Sequence, residues 1–156
     1  MTGRLLASDL DRTLLPNGNL PAEPGGLSRF REWALHRSGV ELVYVTGRHR
    51  SLAREAFREF ELPEPDWLIC NVGTEIYPRE SDRPMSAWEE ALSRDFRAGD
   101  VRGWALSHLE GARLQEAEKQ SPLKVSFYVD PETADSAEED RLQKALAEAG
   151  HRARVI

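Results

Sequence analysis

The chain has 156 residues, 40% of them hydrophobic and 31% charged, and a formal net charge of −6. This length suits one sizeable core or two small modules, and no apolar run of about 18 residues predicts a membrane span. The net negative charge does not predict a basic surface of the kind that attracts polyanions. Neither nucleic acid nor a membrane surface is therefore expected as a partner. The single cysteine, Cys70, excludes an internal disulfide and favours a reducing, cytoplasmic compartment.

Apolar runs alternate with helical patterns in the first half of the chain. Strands are predicted over 4–8, 40–45 and 67–70, with helices over about 27–35 and 51–60 between them. We expect the first helix to stop before Gly39 and the second to begin at Ser51. Strands separated by helices predict an α/β fold with a Rossmann-like parallel sheet and right-handed crossovers.

The pattern changes after Tyr77, where a polar segment with a proline at each end separates the two halves. Helical patterns follow near 88–96, 101–109 and 133–149, and apolar and polar residues alternate over 125–129. Alternation of this kind indicates a one-sided antiparallel sheet that carries helices. The predicted organisation is a core over 1–78, a linker over 79–85 and a small α+β cap module over 86–156.

Polar or small residues follow each predicted strand of the core. They are Asp9 and Asp11 after the first strand, Thr46, Gly47 and Arg48 after the second, and Asn71, Gly73 and Thr74 after the third. Ligands of an open parallel sheet bind at the carboxyl ends of its strands. We therefore expect these residues to line one crevice.

The chemistry of this crevice follows from its paired acids. Two carboxylates as close as those of Asp9 and Asp11 repel each other unless a cation lies between them, and hard oxygen ligands suit Mg²⁺. A carboxylate can attack phosphorus while its neighbour transfers a proton, and the Thr46 hydroxyl with the Gly47 N–H can stabilise the phosphoryl charge. This reasoning favours hydrolysis of a phosphate ester, with loop-capping acids and plain turns as the alternative interpretation.

The motifs also resemble those of a known superfamily. Residues 8–14 (Ser-Asp-Leu-Asp-Arg-Thr-Leu) resemble the first motif of the haloacid dehalogenase superfamily, with Arg12 where a small or polar residue is more usual. Residues 43–48 resemble its second motif. The segments 46–48, 72–77 and 124–130, in this order, are similar to the sucrose-phosphate phosphatase group of the cap-bearing branch.

The resemblance implies a role for each of these residues. Asp9 would be the nucleophile, Asp11 the general acid and base, and Thr46, with Gly47 and Arg48, the phosphate-binding group. Mg²⁺ would be held by the Asp9 carboxylate and the Asp11 carbonyl. In the cap module, we expect Gln120 and Lys124 to contact the phosphorylated sugar.

The chain also departs from the pattern of this superfamily. Two further motifs, a lysine and an acidic metal-binding segment, are not found before Ile156. We therefore expect the first part of a longer phosphatase or a truncated relative, in which the core is incomplete and the cap lacks its last strand. Weak Mg²⁺ binding, little hydrolysis by this chain alone and self-association through the unfinished sheet are then expected.

Alternative functions fit parts of the same pattern. A catalytically silent protein that binds or senses a sugar phosphate would keep the crevice without turnover. A receiver-type phosphoacceptor domain also combines strand-end acids, a threonine and a parallel sheet. The receiver interpretation ranks lower because Asn71 stands after the third strand, where that domain needs an acceptor aspartate.

Overall fold

The fold is described from a computed structural model that covers residues 3–16, 23–130 and 136–156. Contacts within the chain divide it into two compact units, Met1–Trp88 and Glu89–Ile156, which we call unit 1 and unit 2. Within the described ranges, no helix combines the length and the apolar character needed to cross a bilayer.

Unit 1 contains a four-stranded sheet. Its strands, in chain order and in spatial order, are β1 (Arg4–Asp9), β2 (Val40–Val45), β3 (Trp67–Cys70) and β4 (Glu75–Pro78). Strands β1, β2 and β3 are parallel, whereas β4 pairs antiparallel with β3. The predicted α/β fold with a parallel sheet is confirmed.

Two helices connect the parallel strands, α1 (Gly26–His36) between β1 and β2 and α2 (Arg50–Glu59) between β2 and β3. Helix α1 ends before Gly39, as predicted, and the φ of 63° at this glycine is a left-handed conformation that side chains disfavour. Helix α2 begins one residue before the predicted Ser51. The reason is that the ring of His49 accepts a hydrogen bond from the Leu52 N–H and caps the helix.

The core of unit 1 lies between this sheet and its helices. Tyr44 of β2 is fully buried, its ring lies 5.2 Å from that of Phe57 in α2, and its hydroxyl donates to the Pro63 carbonyl at 3.0 Å. Leu42 and Leu68 are buried in the same cluster. The continuous apolar run of β2 predicts this burial, because a strand covered on both faces has no polar side to alternate with.

Strand β1 differs from β2 in its exposure. In the described part of the chain it pairs with β2 alone, and Leu5 is 60% exposed although the strand is apolar in composition. The backbone groups and apolar side chains of this edge are therefore available for further pairing.

The segment after β3 was not predicted to be a strand. The turn at 71–74 leads directly into β4, where Ile76 lies opposite Ile69 in an antiparallel hairpin. The polar residues that follow β4 are hydrogen-bonded to the rest of unit 1. The Arg79 N–H donates to the Asp66 carbonyl, and the Met85 N–H donates to the Ile76 carbonyl. Strands β3 and β4 both have four residues, but β4 lacks the apolar run that identifies β3 and ends in a proline, so its sequence resembles a loop.

Unit 2 is built from helices and a small sheet. Its elements are α3 (Ser86–Ser93), which begins in unit 1, α4 (Ala98–His108), β5 (Arg113–Leu114), a 3₁₀ helix (Ala117–Lys119), β6 (Phe127–Tyr128) and α5 (Ser136–Glu148). Strands β5 and β6 pair antiparallel, as the alternation predicts, although β5 itself was not predicted. The first residues of the helix predicted over 133–149 lie outside the described residues.

Candidate active site

The register of the parallel strands brings their carboxyl ends to one edge of the sheet. Asp9 is the Cα partner of Val45, and Val45 is the partner of Ile69. The residues that follow these positions therefore start three neighbouring loops. Two contacts, one between Arg48 and Asp11 and one between Asn71 and Arg48, show that the loops meet.

The first loop follows β1 and carries the paired acids. Its backbone is held by Leu10 and Leu15, both buried, and the Leu15 N–H donates to the Leu10 carbonyl at 2.8 Å. Arg12 lies in the left-handed region with φ 60°, and its N–H donates to the Leu15 carbonyl at 2.9 Å. The buried leucines thus fix a tight turn, and Asp9 beside it is exposed.

The second loop follows β2 and offers hydrogen-bond donors. Thr46 is 3% exposed, and its backbone N–H donates to the Ile69 carbonyl of β3 at 2.9 Å. Its hydroxyl oxygen accepts from the Arg48 N–H at 3.2 Å, which leaves the hydroxyl hydrogen for donation. Gly47 is exposed between them, so its N–H can be approached closely.

The first contact between loops is an ion pair. Arg48 Nε donates to one carboxylate oxygen of Asp11 at 3.0 Å, and a terminal guanidinium nitrogen donates to the other at 2.6 Å. The two side chains are partly buried, with 20% and 28% of their surfaces exposed. The hydrogen bond to Asp11 raises the pKa of Arg48 above its ordinary value. This paired geometry is the strong form of an arginine–carboxylate interaction.

The second contact joins the loops after β2 and β3. Asn71 N–H donates to the Arg48 carbonyl at 2.7 Å, and the Asn71 side chain is 3% exposed. Asn71, Val72 and Gly73 have φ values of 54°, 55° and 85°, all in the left-handed region. A β-branched residue such as Val72 is strained in this conformation, and such strain is often found at functional sites.

A partly buried carboxylate supports the third loop. Glu75 accepts hydrogen bonds from the Asn71 side-chain amide and from the Tyr77 hydroxyl, both at 2.9 Å, and from the Cys70 thiol at 3.7 Å. Burial, and then the hydrogen bond to Glu75, raises the pKa of Tyr77 above its ordinary range. Glu75 and Tyr77 therefore hold Asn71 in place. In the sequence, the alternation of Glu75, Ile76 and Tyr77 was the pattern that could have indicated this supporting role.

The predicted cap contacts lie in unit 2. Gln120 uses its side chain within that unit: its amide nitrogen donates to the carbonyls of Gln115 and Ser126, and its oxygen accepts from the Ser126 N–H. The backbone of Lys124 pairs with that of Ser121 in an isolated antiparallel β-bridge. Gln120 thus supports the backbone next to β6, and a role for either residue in binding substrate stays a prediction.

The acids of the first loop have the oxygen chemistry that Mg²⁺ requires. Within the ranges described, no cluster of three or more His, Cys, Asp or Glu side chains could hold a metal ion. Mg²⁺ in proteins usually takes one or two carboxylates and completes its shell with water and substrate phosphate. The exposed Asp9 carboxylate fits that pattern, with the Asp11 carbonyl as the second predicted ligand, since Arg48 bonds to the side-chain oxygens of Asp11.

Comparison with known proteins agrees with this geometry. Residues 2–156 match the family model of sucrose-6F-phosphate phosphohydrolase. The chain belongs to this family. In the sucrose-phosphate phosphohydrolase family, the solved sucrose-phosphatase of Synechocystis sp. PCC6803, in complex with sucrose and phosphate, is 30% identical with a TM-score of 0.84. That match covers 100% of this chain and 60% of the solved one.

Other proteins of similar sequence extend the comparison. A putative HAD-like hydrolase of Nitrosococcus oceani is 42% identical over 82% of the chain, and a probable sucrose-phosphatase 2 of Arabidopsis thaliana is 35% identical over 91%. The aligned region is 35% of the first relative and 33% of the second, so the chain spans about a third of their length. The resemblance to the haloacid dehalogenase superfamily and its sucrose-phosphate phosphatase group is confirmed.

Proposed function

We propose that this chain supplies the nucleophile of a Mg²⁺-dependent phosphatase that hydrolyses a phosphorylated sugar. The observation that supports this proposal is the meeting of the three strand-end loops, joined by the Arg48–Asp11 pair and by the hydrogen bond from Asn71 to Arg48. Paired acids, a buried threonine and exposed backbone donors then lie at one edge of the sheet, where parallel sheets bind ligands.

The proposed reaction has two steps through an aspartyl-phosphate. In the first, an Asp9 carboxylate oxygen attacks phosphorus and the bond between phosphorus and the sugar oxygen breaks. Asp11 enters this step protonated, gives its proton to that oxygen and becomes a carboxylate. In the second, Asp11 takes a proton from water as the water oxygen attacks phosphorus. The Asp9–phosphorus bond breaks, inorganic phosphate leaves and the Asp9 carboxylate is restored.

The loop after β2 would bind the phosphoryl group. The Thr46 hydroxyl keeps its hydrogen for donation, and the exposed Gly47 N–H lies beside it. Preorganised donors of this kind stabilise charge on the transferring group without needing to reorganise during the reaction. Arg48 belongs to the same predicted phosphate-binding group, but its side chain contacts Asp11.

Mg²⁺ would be held by the Asp9 carboxylate and the Asp11 carbonyl. When bound, the ion would offset the negative charge that the phosphate brings to two carboxylates. Because the described residues contain no larger cluster of metal-binding side chains, we expect this chain by itself to bind Mg²⁺ weakly. The role of the protein is then to hold the two acids in place for proton transfer and attack.

Unit 2 would select the sugar. The predicted cap, with Gln120 and Lys124 as candidate contacts, carries polar side chains next to a short antiparallel sheet. Sugars are recognised through hydrogen bonds to their hydroxyl groups, which such side chains can make. We propose a sucrose-phosphate-like substrate on the basis of the family to which the chain belongs. We propose a cytoplasmic location on the basis of the single cysteine.

Strand β1 supports a proposal about self-association. Its described residues pair with β2 alone, and Leu5 is 60% exposed. An apolar edge of this kind can pair with the same edge of a second copy. Light scattering over a range of protein concentrations would show a rising molar mass if this pairing occurs and a constant mass if it does not.

The test of the nucleophile uses beryllofluoride, which mimics a phosphoryl group on aspartate. With Mg²⁺ at tens of millimolar, the wild-type chain should give a bound ¹⁹F NMR signal, and Asp9→Asn should lose it because no carboxylate oxygen remains to bind beryllium. Asp82→Asn is the matched control, since Asp82 is exposed and pairs with Arg50. Binding that survives in Asp9→Asn would contradict the proposal.

Hydrolysis separates the enzyme from a silent sugar-phosphate binder. Asp9→Asn should remove essentially all release of phosphate from a sugar phosphate while leaving substrate binding measurable by calorimetry. Wild-type chain that binds the sugar phosphate at millimolar or lower concentration, but neither traps beryllofluoride nor releases phosphate, would favour the silent binder.

A further inference from the structure

Arg48 makes a more specific contact than a phosphate ligand needs. Its guanidinium group meets the two carboxylate oxygens of Asp11 through parallel N–H bonds of 3.0 and 2.6 Å. Two bonds fix the plane of the carboxylate as well as its position, whereas a single bond would allow it to rotate. The pair also joins residues 37 positions apart, so it depends on the tertiary structure.

The backbone is anchored on each side of this pair. Arg48 donates its N–H to Thr46 and accepts at its carbonyl from Asn71, at 3.2 and 2.7 Å. On the other side, the residue after Asp11 is held by a backbone hydrogen bond to Leu15. Neither partner needs to be ordered when substrate arrives, so the orientation of Asp11 is preorganised.

A phosphate that took the two N–H groups of Arg48 now bonded to Asp11 would break this arrangement. The guanidinium would have to give up two charge-assisted hydrogen bonds in a partly buried setting, which is costly when nothing replaces them at the carboxylate. The loop offers phosphate other donors, the Thr46 hydroxyl and the Gly47 N–H, that require no such exchange.

We infer that Arg48 is a positioning residue: it orients the Asp11 carboxylate for proton transfer and remains on Asp11 while phosphate is bound. This inference rests on the proposed role of Asp11 as general acid and base. In this arrangement, Arg48 of the second loop orients Asp11 of the first loop, and Thr46 and Gly47 bind the phosphate.

The first test follows the Arg48 side chain directly by NMR. The Nε–H signal of Arg48, identified by its loss in Arg48→Lys, should be present in the wild-type chain and shift in Asp11→Asn. Inorganic phosphate with Mg²⁺ should move the Thr46 and Gly47 amide signals while the Arg48 Nε–H signal stays in place. An Arg48 signal that moves with the phosphate titration, or one that ignores Asp11→Asn, would overturn the inference.

The second test uses kinetics of two esters, an alkyl phosphate and p-nitrophenyl phosphate. A lysine keeps the charge but not the paired bonds, so Arg48→Lys should lower kcat for the alkyl ester about tenfold or more, and lower it less for the aryl ester, whose leaving group needs little help. KM should change little. The double variant Arg48→Lys/Asp11→Asn should be no slower than Asp11→Asn alone, because Arg48 acts through Asp11.

Arg54→Lys is the matched control, because Arg54 also pairs with a carboxylate, that of Glu64, outside the crevice. It should leave the ratio of the two esters unchanged. Effects of Arg48→Lys and Asp11→Asn that add, or a rise in KM equal for both esters, would identify Arg48 as a phosphate ligand and overturn the inference. If this chain alone hydrolyses neither ester, which the sequence predicts, the NMR test decides whether Arg48 stays on Asp11, and the beryllofluoride test decides the role of Asp9.

Discussion

Unit 1 is organised around a sheet with an apolar core, whereas the described part of unit 2 relies more on hydrogen bonds from polar side chains to backbone. In unit 1, Tyr44 and Leu42 are fully buried between sheet and helices. In unit 2, Gln120 holds the backbone beside β6, and Gln143 of α5 bonds to the carbonyl of Ala153 and the N–H of Val155.

This difference indicates how each unit sets the position of its functional groups. A close-packed core permits little movement, so the loops that end β1, β2 and β3 are held by many side chains at once. A backbone held by a few polar side chains, here Gln115 and Gln120, depends on fewer contacts. Chemistry that needs acids placed to within a fraction of an ångström suits unit 1, and adaptable recognition of a sugar suits unit 2.

The largest expected effect is the loss of an aromatic core residue from unit 1. Phe57→Ala removes a ring that is 4% exposed and packs on Tyr44, and it should lower the free energy of unfolding by about 3–5 kcal/mol. Urea denaturation followed by circular dichroism measures this change. Phe60→Ala is the control, since Phe60 is only partly buried, and equal losses for both variants would contradict a core centred on Tyr44 and Phe57.

A smaller loss is expected from unit 2. Gln120→Ala removes hydrogen bonds to both backbone groups of Ser126 and to the Gln115 carbonyl, and should destabilise this unit by about 1–3 kcal/mol because three hydrogen bonds to partly buried backbone groups are lost. Gln115→Ala, which removes a side-chain bond to the Phe127 carbonyl, should cost less. If thermal unfolding of Gln120→Ala matches wild type but KM for the sugar phosphate rises, Gln120 contacts substrate instead.

The smallest expected effect is a gain in stability at the strained turn of unit 1. Val72→Gly removes a β-branched side chain from a left-handed conformation with φ 55°, and should raise the free energy of unfolding by about 1 kcal/mol or less. Gly73→Ala should have the opposite effect, because the φ of 85° at Gly73 disfavours a side chain. Differential scanning calorimetry that finds both variants destabilised would show that the Val72 side chain contributes more by packing than it costs in strain.

Prediction from the sequence succeeded where the signal is local. The apolar run of β2 and the glycine stop at Gly39 each depend on neighbouring residues, so the parallel strands and the positions of their end loops were recognised. Strand β4 was missed because its four residues, Glu75–Pro78, are stabilised by pairing with β3 and lack the apolar run that identifies β3. The start of α2 was placed one residue late because a histidine cap is uncommon.

The amino-acid sequence by itself determined that Asp9, Asp11 and Thr46 follow parallel strands, since hydrophobic periodicity and turn residues specify both the strands and their ends. The tertiary structure alone decided which side chains in the crevice bind each other. Arg48 and Asp11 are brought together by the register of β1 and β2, and Glu75 reaches Asn71 through the hairpin of β3 and β4. Hydrogen bonds of this kind depend on distance and angle between residues far apart in the chain, which local patterns do not specify.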